Sequence, residues 1–112
     1  MQTLKSNIEA IFSTLNVPCR YRNFTGKDKV NPPFATFYFT HEHLRGGDEL
    51  HLIIDADVII ELITQGKNFT LEAALESALD ESDIEKDEEY DYDEDAYRIT
   101  YRYTKTLKIR RN

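Results

Sequence analysis

The chain has 112 residues, 40% hydrophobic and 12% aromatic, with seven Tyr, six Phe, no Trp and a formal net charge of −7. That length and composition fit one globular domain whose core needs neither disulfide nor metal. The acid surplus argues against a sequence-specific nucleic-acid binder, and no apolar run nears the ~20 residues of a membrane span. The lone Cys19 excludes an internal disulfide or a cysteine zinc site, which suits a reducing cytoplasm. The N-terminus lacks the basic-then-apolar order of a signal peptide.

Residues 2–16 read as an amphipathic helix, with Leu4, Ile8, Ile11, Phe12 and Leu15 at the 3.6-residue period. Asn16 and Pro18 stop it. A short strand is expected over 19–24, then a polar loop over 25–33 containing Gly26 and Pro32-Pro33. Residues 34–40, aromatic and β-branched, form the clearest buried strand. A turn or loop on Gly46-Gly47 is expected over 41–48. The apolar stretch 50–64, interrupted by Asp55 and Asp57, reads as one bulged strand or two short ones. Thr70 is placed to cap a second helix over 70–80, with Leu71, Ala74, Leu75, Ala78 and Leu79 as its stripe. Glu72 favours its positive end.

From Asp80 to Asp95 the chain is acidic, with only Lys86 of opposite sign. Period-2 alternation nevertheless marks strands here. Glu85, Asp87, Glu89 and Asp91 share one parity. Beyond the turn, Tyr97, Ile99, Tyr101 and Tyr103 alternate with Arg98, Thr100, Arg102 and Thr104. A hairpin closed by a two-residue loop at Asp93-Glu94 sets Glu89 against Arg98, Glu85 against Arg102 and Tyr90 against Tyr97. A loop one residue longer would set acids against tyrosines, so the charges favour an even loop. The expected fold is α+β, in the order α-β-β-β-α-β-β. An antiparallel or mixed sheet of about four to five strands carries two helices. The domain spans 1–107, and a frayed basic tail follows over 108–112.

No catalytic residue, metal site or cofactor site is assigned. His41, His43 and His51 lack a second shell and read as loop or edge residues. Cys19 has no base placed beside it and reads as structural. Asp55, Asp57 and Glu61 lack a companion histidine or phosphate loop and read as bulge or edge charges. The Asp87–Asp95 cluster lacks the ligand spacing and glycine of a calcium loop. The chain is expected not to be an enzyme.

Several segments in order carry a resemblance. They are a helix leading into Val17-Pro18-Cys19-Arg20-Tyr21-Arg22-Asn23-Phe24, then Pro32-Pro33-Phe34-Ala35-Thr36-Phe37-Tyr38, then Val58-Ile59-Ile60-Glu61-Leu62-Ile63-Thr64 with Lys67. A Glu-, Leu- and Ala-containing helix follows, and then Glu94-Asp95-Ala96-Tyr97-Arg98-Ile99-Thr100-Tyr101-Arg102-Tyr103. Over about residues 4–105 this order resembles the tail-completion (tail-terminator or head–tail joining) proteins of long-tailed phages and prophages. Ile63 stands where that family often has Tyr.

The resemblance implies a non-catalytic virion protein, present in the host cytoplasm before assembly. It implies a ring of self-copies, commonly six, at the head–tail joint. The implied partners are the tail tube protein and a head-completion or connector protein. The residues suit such contacts. The acidic Glu85, Asp87, Glu89 and Asp91 and the basic Arg98, Arg102, Lys108, Arg110 and Arg111 are the candidate interface residues. The alternative is that the two hairpin strands neutralise each other within one chain. A rival function is an acidic DNA mimic or other protein-binding inhibitor.

Overall fold

A computed structural model describes residues 2–24 and 30–110, the side chains of His41 and Arg110 apart. The loop residues 25–29 and the candidate contact Arg111 lie outside the described residues. The order is α1 (Gln2–Leu15), β1 (Cys19–Tyr21), β2 (Phe34–Arg45), β3 (His51–Gln65), α2 (Phe69–Leu79), β4 (Glu85–Asp91) and β5 (Ala96–Arg110). The five strands form one mixed sheet in the order β1-β2-β3-β5-β4. Only β1 and β2 run parallel; the other neighbours are antiparallel. The α+β expectation is met.

Alternation decides which side of the sheet is dry. Ala35, Phe37 and Phe39 of β2, Val58, Ile60 and Leu62 of β3, and Ile99, Tyr101 and Tyr103 of β5 are all buried. They meet Leu4, Ile8 and Phe12 of α1 and Leu75 and Leu79 of α2 in a single core. Both helices therefore lie on one face. The intervening residues form the other face, which no helix covers among the described residues. Near β1, Phe24 meets Phe34 edge-on at 5.5 Å on that open side.

Local chemistry sets the ends of the helices. Asn16 adopts φ 61°, and the Val17 N–H reaches back to the Phe12 carbonyl at 3.0 Å, closing α1 as a left-handed cap. The cap of α2 is Asn68, not Thr70: its side chain accepts from the Leu71 N–H at 3.0 Å. An Asn two positions earlier meets the same free N–H groups, so the helix begins sooner. Its buried face also differs from the expected stripe. Glu72, Leu75 and Leu79 point inward, and Ala78 is exposed.

β1 is shorter than the expected 19–24, ending at Tyr21, whereas β2 and β5 run longer than their apolar patterns suggest. β2 continues through residues 41–45, expected as loop, because His43, Leu44 and Arg45 find partners in Asp55, Ile54 and Ile53. The irregularity lies in β2, between Thr40 and His43, and β3 is continuous. β5 continues to Arg110, with Leu52 opposite Ile109 and Ile53 opposite Lys108. The far halves of β2, β3 and β5 thus form an arm beyond the helices, and the molecule measures 53 × 32 × 24 Å. The arm exposes Leu44 and Leu50.

Phe12 of α1 is fully buried in the core that both helices share with the sheet. Phe12→Ala is expected to destabilise by about 3–5 kcal/mol in urea unfolding, and a loss below about 1 kcal/mol would show that α1 is not integral to the core.

Candidate interaction surface

The hairpin forms in the register that the charges favour. Glu85 faces Arg102, Glu89 faces Arg98 and Tyr90 faces Tyr97. The loop has four residues, 92–95, rather than two, and an even count preserves the parity. The Asp91 carboxylate accepts from the Asp93 and Glu94 N–H groups at 3.0 and 3.4 Å, which makes the longer turn. Gln65 donates to the Asp95 carbonyl at 2.8 Å and ties the turn to β3.

Parity divides the acidic strand between two environments. Lys86, Glu88 and Tyr90 point to the helix side, and Glu85, Asp87, Glu89 and Asp91 to the open side. On the helix side, Glu72 is 2% exposed. Lys67 and Lys86 each place Nζ 2.9 Å from one of its carboxylate oxygens. Oε2 takes part in the Lys67 ion pair but accepts no well-directed hydrogen bond. Lys86 also donates to Glu76 at 2.9 Å, Lys67 to Glu88, and the buried Tyr101 hydroxyl to Glu76 at 3.0 Å. The only base in the acidic run is thus turned inward, onto α2.

On the open side, Arg102 donates to Asp87 at 2.8 Å, one pair along from its register partner, and Arg98 lies 3.5 Å from Glu89. These pairs are exposed and contribute up to about 1 kcal/mol each. They hold the hairpin acids partly neutralised within one chain. All seven residues of β4 remain exposed, and its outer edge pairs with no other strand among the described residues. The candidate Lys108 projects from β5 on the open face and lies 4.0 Å from Asp48. Arg110 ends the same strand. Arg98 and Arg102 therefore lie among the acidic candidates, and Lys108 and Arg110 occupy a separate stretch farther along β5.

The other chemical groupings are held by local contacts. Cys19 is half-buried, and burial pushes its thiol up to about 12, with Glu9 adding to the rise, so it stays protonated at neutral pH. His51 bonds Asp48 at 2.9 Å, and His43 pairs in register with Asp55. Among the described residues no group of three or more His, Cys, Asp or Glu is placed to hold a metal ion. Asp55, Asp57 and Glu61 are not edge or bulge residues: they lie on the open face of the central strand β3. Arg45 and Thr106 bond Asp55 and hold it below the usual carboxylate range, and the Thr104 hydroxyl donates to Asp57 at 2.8 Å.

Sequence reading missed Glu72, because an acid in a first helical turn is ordinarily an exposed partner of the helix dipole. The one signal was Lys86 standing alone among acids at an inward parity. No family model matches the chain, and it has no match among curated proteins.

Burial alone would raise the Glu72 pKa; the Lys67 and Lys86 hydrogen bonds outweigh it and hold the carboxyl below its ordinary value. An unfolded Glu titrates near ~4.3, so this group stabilises the fold above that pH, and the contribution is lost as pH falls through the lower folded value. Glu72→Gln is expected to cost about 1–3 kcal/mol at neutral pH, with the gap to the native chain closing below about pH 4. Thermal unfolding across pH measures it. A gap unchanged in acid would mean that the lost contact is steric rather than ionic.

Proposed function

We propose that the chain is a non-catalytic structural protein of a phage or prophage virion. In this reading it forms a ring at the head–tail joint that terminates the tail tube, attaches it to the head, or both. The observation that carries the reading is the order of elements. Helix, Pro-Pro-aromatic strand, Ile/Glu/Leu strand, second helix and closing Tyr-rich strand come in this order, which resembles the tail-completion pattern over nearly the whole chain. The surface supports it. With both helices on one face, the chain keeps an open sheet face, an unpaired acidic edge and a long arm for contacts with neighbours. The partners are copies of itself, the tail tube protein and a head connector, met by surface complementarity repeated through symmetry.

Deletion of the gene from its prophage, followed by induction and negative-stain electron microscopy, is expected to give filled heads separated from tails, or tails of uncontrolled length. Normal infectious particles would overturn the reading. They would favour an acidic DNA mimic, which competes with DNA for its target in a strongly salt-dependent way.

A further inference from the structure

β5 is paired on both sides only over its first half. β3 lies along one side throughout, from Gln65 opposite Ala96 to His51 opposite Arg110. On its other side β4 pairs only with Ala96–Arg102, ending at Glu85. From Tyr103 to Arg110 the outer edge of β5 has no strand beside it among the described residues. The sheet side is therefore stepped: an acidic strand, then a set-back stretch one strand-width deep and about as long as β4.

The step is matched in charge as well as length. β4 carries five acids against Lys86, and Lys86 is turned to the helix side. The free stretch of β5 carries no acid: Lys108 and Arg110 share the open-face parity, and Lys105 lies at the helix-side parity, where it pairs with Glu81 of its own chain at 2.7 Å. An edge strand offers a row of unpaired backbone groups to any extended strand, and charged side chains decide which strands are admitted. Two β4 edges would set acid on acid. β4 against the free stretch of β5 sets acid on base, in cross-strand pairs.

We propose that two copies of this chain join edge to edge, each β4 filling the step beside the partner's β5. A two-fold axis perpendicular to the sheet fills both steps at once, which is the closed form of a self-complementary contact. Because β4 is antiparallel to its own β5, it runs parallel to the partner's β5, as β1 already does with β2. With residues 85–91 alongside 104–110, the face parity is kept. Glu89 then lies beside the partner's Lys108 and Asp91 beside the partner's Arg110. Glu85 lies nearest the axis, with Arg102 of its own chain opposite. The result is one continuous sheet nine strands wide, the two β4 strands lying end to end in its middle row, with all helices on one face. The pairing stands apart from the virion reading and concerns the free protein.

Sedimentation velocity of the full chain is the test. A concentration-dependent dimer is expected, weakened by salt because exposed charges are screened within about 10 Å at 0.1 M. The Glu89 and Lys108 side chains are 76% and 60% exposed, so charge reversal at either leaves the monomer fold intact, which circular dichroism checks. Glu89→Lys and Lys108→Glu are each expected to weaken the dimer at least tenfold. An equimolar mixture of the two variants restores it, since each mixed pair again meets acid with base at both steps. A strictly monomeric native chain, a dimer indifferent to both reversals, or no recovery on mixing would each overturn the proposal.

Discussion

A single buried carboxylate governs how this chain folds its second half. Glu72 faces the core from α2, where an unpaired charge is prohibitively costly. Lys67, just after β3, and Lys86, at the start of β4, both close on it at 2.9 Å. The three residues come from three successive elements, so satisfying Glu72 fixes where α2 lies over the sheet and which side of β4 turns inward. The outward parity of Glu85, Asp87, Glu89 and Asp91 follows. An otherwise repulsive strand is held down by its one lysine, and Tyr101 and Glu76 extend the same network across to β5.

That inward clamp shapes the surface that remains. Seven exposed residues of β4 sit at the sheet edge, and their acids are only partly answered by Arg98 and Arg102 on the neighbouring strand. The far stretch of β5 carries cations beyond the reach of β4. Charge that looks like a simple acidic block along the chain becomes, in space, two unlike edges on one side of one sheet. Such an arrangement resists indiscriminate strand pairing and still admits a matched strand.

The arm has a different origin. β2, β3 and β5 keep pairing past the last helix-covered residues because the ladder itself, with Arg45–Asp55 and Thr106–Asp55 contacts across it, satisfies the backbone. Among the described residues no helix covers this region, and Leu44 and Leu50 stay in solvent. A long sheet with a short helical cover leaves contact surface by construction.

Periodicity in the sequence determined the two helices, the central strands, the α+β class and the register of the hairpin. These depend on spacing within single segments, and the hairpin register is set by charge parity across a short turn. Strand length was decided by the tertiary structure, since residues 41–45 and 105–110 are mostly polar and become strand only when partners from distant sequence lie alongside. The bulge in β2, the Asn68 cap and the inward face of Glu72 were decided the same way. Each depends on what a side chain or a backbone group meets across elements, and no local pattern carries that. The candidate residues were legible as charges; their division into an inward clamp, a neutralised hairpin face and two free edges required the sheet order β1-β2-β3-β5-β4.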